Sequence, residues 1–393
     1  MKILAVCQHY EPEPFRFTDI CEELARRGHD VTVVTGIPNY PMGEIYDGYR
    51  NGQKRDEIIR NVKVHRCFTI GRKHSIVYRV LNYYSYMFSS TWYVKRLSKE
   101  YDVVLVNQLS PVMMANAGVQ YKKKHHVPLV MYCLDLWPES LVVGGVSRGS
   151  LIYKYYHWIS KRIYMQADKI FVSSKLFANY FEKEFGISDT VHLPQYAEAG
   201  FTQEQCEKKP DGYLDLMFAG NVGMAQSVET IVEAAKLTAD IPNIRWHIVG
   251  EGSELEKVRT MAKGIERIIF HGRKSLEEMP QYYAMADAML VTMQKNPVLS
   301  LTLPGKVQTY MAAGKPMIGA IDGETASVIA NAGCGICSGA EDAQALAENV
   351  RKFVGMDKAS MGANAKKYYD EHFEKQIFMD RLEKGLSLAK EFV

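Results

Sequence analysis

Short apolar runs of strand length, each followed by a longer amphipathic stretch, recur from one end of this chain to the other. That alternation leaves few possibilities, because parallel strands cannot be joined by a tight turn and need a crossover, usually a helix. The runs of the first half cover residues 3–7, 31–35, 62–68, 103–107, 129–133, 169–173 and 190–193. Residues 17–27 show the crossover pattern: Ile20, Cys21 and Leu24 share one helical face, and Gly28 closes the turn before the next strand. A second series covers 214–219, 244–249, 267–271, 288–293, 316–320 and 335–338. The pattern predicts an α/β protein with parallel sheets flanked by helices.

The stretch 197–212 separates the two series. It loses the periodicity, carries charge together with Pro210 and Gly212, and reads as a linker. The expected domains are 1–196 and 213–373, a division that suits 393 residues, too many for one hydrophobic core. Residues 374–393 form a last helical segment, expected to pack back on the first domain.

Hydrophobic residues at 47% and charged residues at 24% are ordinary for a globular protein and exclude a disordered or fibrous chain. The amino terminus passes from Met1 and Lys2 through Ile3 to Cys7 into polar Gln8 and His9, too short an apolar run for a secretory signal. Seven scattered cysteines, an odd number, fit a reducing compartment, so the cytoplasm is the expected location. Cys334 and Cys337 form a CxxC pair, but no second pair of ligands follows at zinc-site spacing, and they read as buried packing. Net charge is only +3, yet from Arg60 to Glu100 nine Lys and Arg residues stand against one acidic residue. The same stretch holds Tyr78, Tyr84, Phe88, Trp92 and Tyr93, and two readings stand side by side. One is a basic aromatic helix touching a membrane surface; the other is a helix packing its rings on a sheet with its charges solvated. No apolar run approaches the roughly 18 residues of a membrane span.

Three loops at strand ends in the second half carry glycine where a phosphate would approach the backbone. They are Gly220-Asn221-Val222-Gly223, Gly250-Glu251-Gly252-Ser253 and Pro304-Gly305-Lys306. At the carboxyl edge of an open parallel sheet the free N–H groups of the following helices form an anion site, and three such loops at one edge imply one ligand. Each loop alone is a weak signal, since turns use glycine anyway. The segment from Leu303 to Pro316 is more specific: Pro304 and Gly305 open a helix, Gly314 ends it, and Lys306 sits in the first turn. A cation there opposes the helix dipole, which points to a bound anion; the plain alternative is a solvated surface lysine. Asp135 and Glu139 are candidates for contacting substrate hydroxyls, with Asp135 equally suited to capping the next segment. Gly145-Val146-Ser147-Arg148-Gly149 satisfies GxSxG, but no adequate strand precedes it, so Ser147 is not read as a nucleophile.

Gly220-Asn221, Val249-Gly250-Glu251-Gly252, Phe270-His271-Gly272, Ala286-Asp287 and Pro304-x-Lys306 with Tyr310 to Pro316 follow in an order and spacing that resembles family 4 of the retaining glycosyltransferases. Leu24 to Val33 and Pro38-Asn39-Tyr40-Pro41 look like that family's amino-terminal domain. Asp135-Leu136-Trp137-Pro138-Glu139-Ser140 looks like a subgroup that assembles bacterial capsule, exopolysaccharide and O-antigen chains on lipid carriers. The resemblance implies the GT-B fold, two Rossmann-like domains whose parallel sheets face each other across a cleft. It also implies a retaining transfer from a UDP-sugar, an N-acetylated hexosamine or related sugar, to a lipid-linked saccharide. No cofactor is expected, and no two aspartates stand two residues apart to hold a divalent ion, so metal independence is expected as well.

Carried over to this sequence, the resemblance puts donor contacts on Gly220, Asn221, Gly223, Gln226, Gly250, Glu251, Arg273, Leu303, Pro304, Gly305 and Thr309. Acceptor contacts fall on Arg16 and Tyr40, and catalytic roles on Asp135, Glu139 and Lys306. The chain also departs from the family. The basic pair that holds the donor diphosphate falls on Asn221 and Gln226, the paired glutamates on Leu301 and Thr309, and the first-domain histidine is missing, with Leu134 before Asp135. Lys306 and Arg273 are left as the leading cations, helped by backbone N–H groups near Leu303 to Gly305. Two alternatives follow: a nucleotide-sugar 2-epimerase on the same fold, which would need an acid/base set, or a non-catalytic glycosyltransferase-like subunit. The expected partners are a UDP-sugar, a polyprenyl-linked saccharide and the inner face of the cell membrane, touched through residues 60–100, with no nucleic acid.

Overall fold

The protein is described by a computed structural model over residues 1–73, 75–197 and 203–391. It divides into two compact units, Met1–Leu193 with the segment from Met379, and Pro194–Phe378.

The first unit runs β1 (Lys2–Val6), α1 (Phe17–Arg26), β2 (Asp30–Gly36), β3 (Asp56–Ile59), β4 (Val62–Cys67), α2 (Ile76–Val94), β5 (Val103–Gln108), α3 (Asn116–His125), β6 (Leu129–Cys133), α4 (Glu139–Val143), α5 (Leu151–Tyr164), β7 (Lys169–Val172), α6 (Lys175–Phe185) and β8 (Thr190–His192). The strand order is β3-β4-β2-β1-β5-β6-β7-β8. Every residue of β5 and β6 is buried, as central strands covered on both faces must be. The alternating pattern misses β3, the antiparallel edge strand, because Asp56-Glu57-Ile58-Ile59 does not alternate. It forms because Arg60 and Asn61, at φ 44° and 68°, make the two-residue turn that folds it back on β4.

The second unit runs β9 (Leu214–Ala219), α7 (Glu229–Leu237), β10 (Ile244–Val249), α8 (Leu255–Met261), β11 (Ile268–Gly272), α9 (Met279–Met285), β12 (Ala288–Thr292), α10 (Gly305–Ala312), β13 (Met317–Ala320), α11 (Glu324–Ala332), β14 (Gly335–Ser338), α12 (Ala343–Val354) and α13 (Lys358–His372). Its sheet, ordered β11-β10-β9-β12-β13-β14, is parallel throughout. Alternate residues feed two cores: Leu216, Phe218 and Trp246 on one face, Met217, Ala219 and Met289 on the other.

The predicted linker is only partly what its composition suggests. Residues 198–202 lie outside the described residues, but the stretch from Gln203 belongs to the second unit. Cys206 is fully buried, and Lys208 Nζ donates to Asp215 Oδ2 at 2.6 Å and to Asp287. Burial would raise the Asp215 carboxyl, but hydrogen bonds from Arg245, His247 and Lys208 outweigh it and hold the group well below the usual carboxylate range. The charge that looked like a solvated linker is matched by a buried partner on β9, which no local pattern reveals.

The last helix, α14 (Lys375–Glu391), gives its residues from Met379 to the first unit. There Arg27 donates to Asp380 at 2.7 Å and to Glu383, and Lys390 Nζ to Asp102 at 3.1 Å. Gly385 lies on the ring of Phe171, where a Cβ would fall 2.1 Å from Cζ. Gly385→Val should therefore force ring and helix apart at a cost of about 1–3 kcal/mol, read as a melting temperature several degrees lower. Gly355→Ala, whose Cβ would meet nothing nearer than 3.9 Å, should melt close to wild type.

Candidate active site

In each unit the chain steps outward from its first strand, then crosses back past it and continues the other way. The reversal lies between β1 and β5 in the first unit and between β9 and β12 in the second. Open parallel sheets bind ligands outside the carboxyl ends of their strands at such a switch point.

In the second unit β9 and β12 pair only through Leu216 with Ala288 and Met217 with Met289. Beyond that the role of strand neighbour passes to a phenol. Ala219 N–H donates to Tyr310 Oη at 3.0 Å, and Tyr310 O–H donates to Ala219 O at 2.7 Å. Tyr310 and Lys306 are four residues apart in α10 and so share a helical face; anchoring the tyrosine places the lysine. Lys306 Nζ comes to rest 3.9 Å from the centre of the Phe218 ring and beside Gly220, where a Cβ would stand 3.0 Å from it. The ammonium is closed off from solvent, and among the described residues it has no hydrogen-bond partner. Burial alone pulls it down to about 7, since nothing nearby compensates the charge.

The glycine loops assemble around it, for a reason other than the expected one. A Cβ on Gly250 would fall 1.8 Å from Gly220 O, and one on Gly252 2.3 Å from Val222 O. Val222 N–H donates to Glu251 O at 2.8 Å. Gly250 and Gly252 are glycine because two loops pack backbone to backbone, and Gly220 because the lysine lies against it. Asn221 and Gln226, where a basic pair was expected, meet each other at 3.3 Å, beside Gly223. Gln226 is held to β12 by Thr292 Oγ1, which donates to its carbonyl at 2.6 Å.

Gly250 N–H donates to Gly272 O at 2.8 Å, which puts exposed Arg273 next to the loops. The Glu251 side chain is exposed, and Pro304 caps α10, whose first residue is Gly305. Two expected donor residues turn inward instead. Thr309 is buried and its hydroxyl donates to Gly305 O at 3.1 Å, and Leu303 packs on the core. Thr309 is a correction, because the face of α10 that it occupies is the face on the sheet; Leu303, before the helix, has only its backbone left to offer a ligand. Tyr310 and Phe218 are the site residues that pattern reading missed, and the i, i+4 spacing of Lys306 and Tyr310 was the available signal.

In the first unit Asp135 follows β6 and accepts the Ser110 N–H at 3.0 Å. Burial raises its carboxyl, against the pull of the Ser110 bonds. Glu139 is a plainer correction. It is fully buried and accepts from Tyr153 Oη at 2.5 Å, Tyr180 Oη at 3.3 Å and Arg148 at 2.7 Å. With its oxygens so occupied it anchors the chain from α4 to α5 and does not meet a substrate. Ser147 lies in the turn between those two helices, not after a strand. Arg16 stands half-buried at the amino end of α1, and Tyr40 keeps a half-buried ring against Phe15, with centroids 5.2 Å apart.

Comparison with known proteins gives this arrangement a class. Residues 214–355 match the family model described as glycosyl transferases group 1, and residues 15–194 match the one described as a glycosyl transferase 4-like domain. The glycosyl transferase WcaI of Escherichia coli (strain K12), named for colanic acid biosynthesis, is 24% identical over 388 residues, covering 91% of this chain and 93% of that protein. Among solved structures, sucrose-phosphate synthase of Thermosynechococcus elongatus superposes with a TM-score of 0.73 at 16% identity, covering 98% of each chain. Anabaena HepE in complex with UDP-glucose superposes with a TM-score of 0.70 at 14% identity, covering 98% of this chain and 99% of that one. The chain has the GT-B fold. It is a glycosyltransferase.

The buried Lys306 has a measurable cost. Its pKa is lower folded than unfolded, so between about pH 7 and 10.5 the unfolded chain holds the extra proton, and stability rises with pH across that window at up to about 1.4 kcal/mol per unit. Lys306→Met should melt several degrees above wild type near neutral pH, with the difference shrinking toward pH 10. Equal melting temperatures at every pH would show that the ammonium is not buried unpaired.

Proposed function

We propose that this glycosyltransferase is a retaining, metal-independent enzyme of family 4 that moves a sugar from a UDP-sugar to a lipid-linked saccharide in bacterial surface polysaccharide synthesis. Lys306 carries the donor half of the reading. An unpaired buried ammonium at a helix amino end, ringed by closely packed glycine loops at a switch point, suits a diphosphate. As the bond from the sugar's anomeric carbon to the diphosphate oxygen breaks, negative charge grows on that oxygen, and a desolvated cation stabilises it strongly. The acceptor hydroxyl attacks from the face the diphosphate leaves, its oxygen bonding the anomeric carbon and its proton passing to the departing diphosphate oxygen, which preserves configuration. Arg273 and the free N–H groups opening α10 assist. Asp135, Arg16 and Tyr40 serve the acceptor. UDP-glucose in the HepE structure and the role for which WcaI is named agree with a UDP donor and a polysaccharide product.

The acceptor's lipid fits a surface of the first unit. Both α2 and α5 lack acidic residues, and Tyr84 and Tyr156 hydrogen-bond between them at 3.1 Å. Phe88 and Trp92 on α2 are 65% and 61% exposed, and Leu151 and Trp158 on α5 are 83% and 53% exposed. Lys73, Lys95, Lys154 and Arg162 supply positive charge along them, Arg162 lying 4.6 Å over the Trp158 ring. Crossover helices return antiparallel to their strands, so both begin at the carboxyl edge of the sheet, where Asp135 lies. Such a surface docks on an anionic bilayer, here the inner face of the cell membrane. Among the described residues no helix is long and apolar enough to cross one.

UDP should raise the melting temperature in the presence of EDTA, and Lys306→Ala should abolish most of that shift. Binding should also weaken above pH 7 by up to about tenfold per unit, because Lys306 must regain a proton to meet the anion; Lys306→Ala should lose this dependence. No stabilisation by any nucleoside diphosphate would sink the reading. Vesicle sedimentation tests the membrane half: the wild type should bind phosphatidylglycerol vesicles and release at high salt, and Trp92→Ser with Trp158→Ser should weaken binding about tenfold. Equal binding to neutral vesicles would count against it.

A further inference from the structure

The first unit has its own switch point, between β1 and β5, and the side chains around it share one chemical character. His9 stands three residues beyond the end of β1, and its Nδ1 lies 3.0 and 3.1 Å from the two oxygens of Glu13. Glu13 is itself buried, and its Oε1 accepts the N–H groups of Asn39 at 2.9 Å and Tyr40 at 2.7 Å. Its Oε2 takes the Tyr10 N–H at 3.3 Å. A carboxylate accepts only, so Nδ1 carries a proton, and in the neutral form of the ring the lone pair is on Nε2. That atom, on the far side of the ring, has no protein partner among the described residues. The ring is stacked on Phe15 at 4.8 Å and tilted against Tyr40 at 5.8 Å, so packing and hydrogen bonding both fix it.

Across the switch point, β5 ends in Asn107 and Gln108, whose side-chain carbonyl oxygens are buried and have no partner among the described residues. Asp135 follows β6, the next strand. Three adjacent strand ends thus offer acceptors: an imidazole nitrogen, two amide oxygens and a carboxylate. Buried acceptors without donors are rare, and a hydroxyl from water or from a ligand supplies the missing hydrogens. A saccharide does so with its hydroxyls, while its C–H faces suit the half-buried rings of Phe15 and Tyr40.

We infer that His9 is an acceptor-recognition residue, its Nε2 accepting a hydrogen bond from a hydroxyl of the acceptor saccharide, with Glu13 as the positioning residue that fixes its tautomer and orientation. The inference rests on the transferase reading above and extends it to residues of the β1–α1 loop. Nothing in the local sequence marks the dyad, because the N–H groups that hold Glu13 come from Asn39 and Tyr40, beyond the next strand.

The test measures initial rates against concentration of a lipid-linked saccharide fraction extracted from the producing cells, at saturating UDP-sugar, together with the UDP-induced melting shift. His9→Phe keeps the stack on Phe15 and removes Nε2. It should lower kcat/KM for the acceptor about 10- to 100-fold, mostly through KM, with the UDP shift of wild type. His9→Gln, which can offer an amide oxygen, should recover part of the loss, and Glu13→Gln should fall in the same direction as His9→Phe. Wild-type acceptor kinetics in His9→Phe overturn the inference, and so does a parallel loss of the UDP shift, which marks a structural role. A wild-type chain that neither binds UDP nor turns over any UDP-sugar brings down the transferase reading, and this inference with it. Turnover by wild type with an indifferent His9→Phe brings down the inference alone.

Discussion

The second unit holds an ammonium, that of Lys306, which is left without a hydrogen-bond partner among the described residues. Desolvating a lysine without a counter-ion is unfavourable by several kcal/mol in most settings, and the surroundings of Lys306 look arranged to impose that state. Tyr310 fastens α10 to the end of β9 through both polar groups of Ala219. Gly220 has no side chain to obstruct the lysine, and the Phe218 ring offers Nζ its electron-rich face. The folded chain carries an uncompensated buried charge, and any anion bound there would couple stability to binding through one atom.

The two units solve related problems with opposite chemistry. Each has a mainly parallel sheet whose direction of growth reverses once, and each has polar side chains at that reversal. The second unit presents a cation and backbone N–H groups. The first presents acceptors: His9 oriented by Glu13, the orphaned carbonyls of Asn107 and Gln108, and Asp135. A donor phosphate and an acceptor hydroxyl differ in the same sense, one rich in lone pairs and the other in protons.

Misread residues share a physical origin. Glu139 stands in a conspicuous motif, but its carboxylate is matched by Tyr153, Tyr180 and Arg148, groups 9 to 41 residues further along. Thr309 lies on the helix expected to border the site and turns to the sheet side of it. Gly250 and Gly252 sit where glycines were expected to admit phosphate and serve to admit another loop. In each case the residue type was informative and the direction of the side chain was not, because direction depends on what packs opposite.

Local pattern by itself determined the α/β class, thirteen of the strands to within a residue or two, the helix at Pro304 to Gly314 and the position of Lys306 in its first turn. These follow from hydrophobic period, caps and breakers, which act over a few residues. Tertiary structure alone decided that Lys306 has no hydrogen-bond partner among the described residues, that Tyr310 stands in for a strand, that Lys208 is paired rather than solvated, and that His9 is held by a glutamate anchored two loops away. Those are statements about distance between residues far apart in the chain. Hydrogen bonding and burial act through space, and a periodicity carries no information about which remote group arrives to satisfy a lone pair or to leave a charge alone.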